Sequence, residues 1–147
     1  MELKDAIAKR YSVRSYLDKK VDKELVKEIL EVSKRAPSGV NSQPWKIYVV
    51  MGHARDKLVN EACERFDKGE LEKEEYQVYP TERPDWYKSR QRASGFALYG
   101  AVGIGREDAD KRIAQARKNY ELFGAPVGIF VTVHKSVGPN GWGHVGH

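Results

Sequence analysis

Hydrophobic positions along this chain change their period several times, and each change marks an element. Leu3, Ala6 and Ile7 stand at helical spacing within residues 2–9, which predicts a short amphipathic helix. Asp22 reads as an N-cap, with Val21 and Val26 placed as a hydrophobic staple. Leu25, Val26, Ile29, Leu30 and Val32 then carry a second helix to about residue 35, where Pro37 stops it. Residues 46–51, Lys-Ile-Tyr-Val-Val-Met, form the nearly continuous β-rich run expected of an interior strand covered on both faces, and Gly52 ends it. A third helix is expected over about 55–66, with Leu58, Ala62 and Phe66 on one stripe. Residues 93–102 resume a helical pattern that Gly103 and Gly105 break. A further helix begins near Asp108, with Ile113, Ala116, Tyr120 and Phe123 sharing a face. Residues 127–133 predict a second interior-type strand, and the glycine-rich tail 138–143 reads as turns. Two strands among five helices predict an α+β protein whose sheet further strands complete.

Residues 67–92 fit none of these periods. They are highly charged and carry Tyr76, Tyr79, Trp86 and Tyr87 around Pro80 and Pro84, which predicts a surface insertion or a lid. Its aromatic side chains read two ways, as stacking surfaces for a substrate or as pins that hold the excursion to the body.

Composition narrows the class. The chain has 147 residues, 40% hydrophobic and 32% charged, which describes one ordinary domain with a core of its own. No apolar run approaches the length that crosses a bilayer, and the N-terminus opens on a charged helical pattern, so an intracellular, cytoplasmic protein without a membrane partner is expected. Cys63 is the single cysteine, which excludes an intrachain disulfide framework and makes it a core or half-buried residue. The net charge of +5 and a pI near 9.2 favour anionic partners in general. Because the basic residues are interleaved with Asp and Glu, they read as solvated helix faces and not as a nucleic-acid footprint.

Two stretches stand apart. Arg10-Tyr11-Ser12-Val13-Arg14, if extended, puts Arg10, Ser12 and Arg14 on one side and Tyr11 and Val13 on the other. Two guanidinium forks flanking a hydroxyl suit a phosphate; the alternative is a solvated basic turn. Residues 36–45, Ala-Pro-Ser-Gly-Val-Asn-Ser-Gln-Pro-Trp, join the second helix to the first strand. Pro37 and Pro44 stiffen this loop, while Ser38, Asn41, Ser42 and Gln43 supply donors and acceptors of both signs. Such a loop suits the edge of a planar heterocycle; read plainly, it is a helix stop and a turn into a strand.

Other chemistry is missing. There is no H-E-x-x-H, P-loop, G-x-S-x-G or paired-cysteine motif, and Gly103 with Gly105 does not make a nucleotide fingerprint. His144 and His147 have ligand-like spacing but lie in a glycine-rich end without an acidic partner, so no metal site is assigned. Without an evident nucleophile or base, a cofactor that brings its own reactivity is the economical reading, and no catalytic side chain is expected.

The two odd stretches, their spacing, and the later Arg117-Lys-Asn-Tyr-Glu-Leu-Phe-Gly-Ala-Pro126 leading into Val127 resemble the FMN-dependent nitroreductase family over nearly the whole chain. The resemblance implies an α+β sandwich with a central, mostly antiparallel sheet, flanking helices and an intertwined homodimer holding FMN at the subunit interface. It implies that Arg10, Ser12 and Arg14, with Tyr11 beside them, hold the FMN phosphate and ribityl chain. Pro37, Ser38 and Asn41 of the other subunit would meet the isoalloxazine ring, with Asn119 as a further flavin-edge contact. Tyr76 and Trp86 fall where the substrate channel is lined. The implied reaction is ping-pong: NADH or NADPH reduces FMN, and a small electron-poor acceptor, a nitroaromatic or quinone, is then reduced. Family members continue past residue 147, so the chain is expected to be one C-terminally incomplete nitroreductase-like domain, with a non-catalytic flavin- or anion-binding module as the alternative.

Overall fold

The computed structural model describes residues 2–70, 74 and 76–146. Helix α1 spans Leu3–Lys9 and α2 spans Lys23–Ser33. Asp22 caps α2 as expected: its carboxylate accepts from the Glu24 N–H at 3.0 Å. Val26 turns inward and is among the few buried apolar side chains, while Val21 is half-buried. Strand β1, Trp45–Met51, runs without a loop into α3, Gly52–Asp67. Gly52 makes that abrupt change possible, since it sits at φ 52°, where L residues are strained. Helix α4 spans Asp85–Ala101, α5 spans Ala109–Arg117, strand β2 spans Val127–Val133 and α6 spans Asn140–Gly146.

β1 and β2 pair antiparallel over their full length, from Trp45 opposite Val133 to Met51 opposite Val127. Both strands fall where the hydrophobic runs put them, but neither is covered on both faces. Lys46 and Tyr48 on β1 are exposed, as are Ile129, Phe130 and Val131 on β2. The reason is that the described residues contain two strands and no more, so the pair has two open edges and an uncovered face. Apolar runs signalled a strand meant to be covered, and the cover is not among the described residues.

The chain divides into two compact units, Met1–Asn60 with Leu122–His147, and Glu61–Glu121. In the first, the strand pair and α6 are joined: Gly141 is buried against Val133, where a Cβ would lie 3.0 Å from Val133 Cγ1. Arg55 on α3 donates to the Ala125 carbonyl at 3.0 Å and so ties the chain ahead of β2 to the start of α3. In the second, Arg117 at the end of α5 grips Asp67 at the end of α3 with two parallel bonds of 2.8 and 2.9 Å, and it also donates to Glu121. Phe66 and Tyr120 stack beside this clamp, ring centroids 4.8 Å apart, and Cys63 and Gln115 are buried. The bonds from Arg117 hold the Asp67 carboxyl below its ordinary range, and Asp67 with Glu121 pushes the Arg117 guanidinium further up.

Three expectations are corrected. Helix α4 starts at Asp85, so Trp86 and Tyr87 lie on a helix inside the stretch read as irregular. Pro84 followed by Asp85 is a helix start, and Arg90 stacks on Trp86 one turn later, 5.3 Å from the ring centroid. The α5 helix ends at Arg117, and Phe123 belongs to a separate turn at φ 53°. The tail, read as turns, is helical from Asn140.

Candidate functional site

Residues 10–22 leave α1 without regular secondary structure, which lets the basic stretch extend as the period of two requires. Arg10 closes α1 through its backbone N–H and leaves its guanidinium outside the helix. Tyr11 is 73% exposed, and Ser12 and Arg14 are exposed beside it. Arg14 reaches back to the Ser12 carbonyl at 3.4 Å. Among the described residues neither Arg10 nor Arg14 pairs with a carboxylate, so two full positive charges and a hydroxyl remain available. Two residues further on, the Tyr16 N–H donates to the Phe123 carbonyl at 3.1 Å and pins the stretch to the turn before β2.

The loop at residues 36–45 is shaped by strain. Val40, Asn41 and Gln43 all lie at positive φ, 49°, 53° and 46°. This region is costly for a β-branched residue, and departures of this kind cost about 1–3 kcal/mol each. Local bonds hold the turn: Asn41 N–H to the Ser38 carbonyl at 2.9 Å, Ser42 N–H to the Gly39 carbonyl at 3.0 Å, and Gln43 N–H to Ser38 Oγ at 2.9 Å. The Asn41 amide oxygen accepts from Gln43 Nε2 at 3.3 Å, which leaves its NH₂ group free to donate outward. Pro37 and Asn41 are exposed and Ser38 is half-buried. Among the described residues no hydrogen bond or ion pair joins this loop to Arg10, Ser12 or Arg14.

The other expected positions lie in the second unit. Asn119 spends its amide on the Ala116 carbonyl at 2.8 Å, a helix-end bond that turns its donor inward to the chain. Tyr76 is 52% exposed; Trp86 meets Tyr87 edge to face with centroids 5.8 Å apart. Residues 71–73 and 75 of the expected lid, and His147, lie outside the described residues. His144 was singled out for metal-like spacing, but it packs against Gly39 of the loop, with Cε1 3.2 Å from where a Cβ would stand. Among the described residues no group of three or more His, Cys, Asp or Glu side chains could hold a metal ion, and no helix is long and apolar enough to cross a membrane.

A cavity of about 1030 Å³ in the first unit opens at the far end of β1, lined by Asp18, Asp22, Met51, His53, Arg55 and Pro126 among others. None of the expected site residues lines it. Its walls mix both signs of charge, and Arg55 is already engaged with Ala125 and Asp56.

A model of the nitroreductase family matches residues 7–144. The chain belongs to that family. A 4-nitrobenzoate reductase of Nocardioides sp. (strain LMS-CY) is 40% identical over 140 residues, covering 92% of this chain and 57% of that protein. A nitrobenzene nitroreductase of Ectopseudomonas oleovorans is 35% identical over 132 residues, 89% of this chain and 58% of that one. The crystal structure of the FMN and NADPH-dependent nitroreductase NfnB from sphigopyxis sp. strain HMH superposes with a TM-score of 0.91 at 40% identity, covering 99% of this chain and 66% of that one. The α+β nitroreductase fold expected from the motifs is therefore the fold observed. The chain spans somewhat more than half the length of these curated relatives.

Proposed function

We propose that this chain forms the flavin-binding portion of an NAD(P)H-dependent oxidoreductase that reduces small electron-poor acceptors, nitroaromatics or quinones. The observation that carries the reading is the pairing of unneutralised arginines with a strained, outward-donating amide loop within a chain of the nitroreductase family. Bound FMN would supply the redox chemistry that links NADH or NADPH to the acceptor in a ping-pong cycle.

The residues fit that group. Arg10 and Arg14 offer fork-shaped donors to a phosphate dianion, and Ser12 adds a hydroxyl donor. Their guanidinium groups lose no carboxylate partner on binding, so the anion meets charge that is already available. Asn41 presents its NH₂ to a ring edge while Gln43 holds its oxygen, and Ser38 and Pro37 fix the turn that aims it. Tyr11 supplies an aromatic face beside the phosphate donors. Asn119 is proposed as a flavin-edge contact through its remaining acceptor oxygen, and Tyr76 and Trp86 as substrate-facing surfaces. No side chain is required to act as a strong acid or base.

The working form is a homodimer with a site at each interface, the loop of one copy serving the flavin held by the other. Uncovered apolar surface supports this. Leu3, Ile7 and Leu17 are 77%, 69% and 80% exposed, and three apolar side chains alone, Val26, Val59 and Cys63, are buried among the described residues. The chain exposes 12289 Å², against about 9,000 Å² for two separate compact units of these sizes, so the excess does not depend on how the units are placed. An excess of this size, with Leu3, Ile7 and Leu17 exposed within the same surface, is on the scale that an obligate dimer covers.

The test is the visible spectrum of the purified protein with FMN, before and after anaerobic addition of NADH or NADPH. The expected result is a bound yellow flavin that bleaches, and Asn41→Ala should weaken FMN binding or alter its reduction without changing the far-UV circular dichroism. A colourless protein that takes up no FMN would overturn the proposal.

A further inference from the structure

The loop at residues 36–45 contains three non-glycine residues in the left-handed region, and its local hydrogen bonds close the turn without tying it to the rest of the protein. Backbone of this kind persists where its surroundings leave it no alternative. One end of the loop is fixed by the sheet, because Trp45 pairs with Val133. The other surroundings come from α6. Gly141 lies against the same Val133, with room for no Cβ beyond 3.0 Å, so the helix is seated on the last pair of the sheet. Three residues later on the same helix face stands His144. Its half-buried ring lies over Gly39, Cε1 at 3.2 Å and Nε2 at 3.5 Å from the place a Cβ would take. Trp45 with Val133, Val133 with Gly141, and His144 with Gly39 thus link the loop that carries Val40 and Asn41 to the sheet and to α6.

We propose that His144 is a positioning residue: its imidazole, seated by α6, holds Gly39 and through it keeps Asn41 in the left-handed conformation that aims its amide at the flavin. The second half of this statement rests on the flavin reading of the loop; the first does not. A Cβ at Gly39 would crowd the ring, which would have to give by a few tenths of an ångström. The Gly39 φ lies outside the left-handed region, so an alanine at this position is resisted by the imidazole and not by its own backbone.

Amide hydrogen exchange on the full chain without flavin tests the first half. The reporting amides are those of Asn41, Ser42 and Gln43, whose bonds close the turn. In His144→Ala their exchange should rise about tenfold while the paired amides of β1 and β2 keep parental rates. His144→Phe, which keeps a flat ring in place, should stay near parental. Gly39→Ala should loosen the loop alone, yet add little to His144→Ala, because the two act through one contact. The second half is read by FMN titration: His144→Ala should bind about tenfold more weakly and His144→Phe close to parental, with a matching shift of the bound-flavin spectrum in the alanine variant. Unchanged loop exchange in His144→Ala, or equal loosening of loop and strands, would overturn the positioning role. A loosened loop with unaltered FMN affinity would overturn its service to the flavin. A parent chain that binds no FMN would sink the proposed function, while the exchange rates would still decide whether His144 holds the loop.

Discussion

Gly128 is the point at which the strand pair that carries the loop is most sensitive to a single methyl group. It lies in β2 directly opposite Val50, is fully buried, and has no positive φ, so alanine is excluded there by packing alone. A Cβ would stand 2.9 Å from Leu122 Cδ1, 2.9 Å from Val50 Cγ2 and 3.2 Å from Phe130 Cε2. Leu122 ends in a flexible side chain and can turn away at small cost. Val50 cannot, because its branched Cβ has one favoured rotamer and its strand is hydrogen-bonded to the clashing one. The pair must therefore spread or Val50 must leave its rotamer, and overpacking of this kind costs about 1–3 kcal/mol. For a chain of this size the melting temperature should fall by about 2–12 °C, taking roughly 2–4 °C per kcal/mol. Urea unfolding followed by far-UV circular dichroism should show a lower midpoint at constant slope. Gly95→Ala is the control. A Cβ there meets nothing within 4 Å in the middle of α4, so it should stabilise by about 0.5–1 kcal/mol. A Gly128→Ala midpoint equal to or above the parent, with Gly95→Ala behaving as expected, would refute the reasoning.

Removing the α2 cap with Asp22→Ala should cost about 1 kcal/mol in the same unfolding assay, since the Glu24 N–H loses its acceptor, whereas Asp22→Asn should cost much less. Acid should weaken the protein through the Arg117 clamp. The Arg117 bonds lower the Asp67 pKa, so its contribution is present above the ordinary carboxylate range near 4 and disappears as pH falls below it. Asp108, whose pKa is lowered by the Gly105 N–H and then by Lys111, adds to the same acid limb. Accordingly Asp67→Asn should be less stable than the parent at pH 7, and the gap should close below about pH 4; a gap that stays constant down to pH 3 would count against the clamp.

Where periodicity and capping act within a few residues, the sequence was sufficient. Asp22 capping α2, Val26 turned inward and the two β runs all lie where local pattern places them. The arginines and the amide loop stand out in the sequence for another reason, because a motif of unusual residue types needs no packing to be seen. What was not legible came from contacts distant in sequence. α6 contains Gly141, Gly143 and Gly146, each disfavoured in a helix by about 1 kcal/mol relative to alanine, so local preference says turn. Yet Gly141 is what lets the helix seat on Val133, and the packing outweighs the preference. The Pro84-Asp85 start of α4 lies inside the stretch without a steady period, whose charged and irregular residues mask it, although proline followed by an acidic first turn also opens helices.

The same distinction explains the shape of the loop. Nothing in Val40 announces a left-handed residue, and β-branching argues against it. Gly39 leaves space for the His144 ring, and the positive φ angles fall on its neighbours Val40 and Asn41. A glycine crowded by a side chain some hundred residues away thus stands next to a valine in a glycine's conformation. On the proposed reading the motif supplies the groups, and the way α6 sits on the end of β2 sets the direction in which Asn41 points. Sequence changes confined to α6, none of them touching a ligand, are therefore the ones expected to alter how the loop presents its amide.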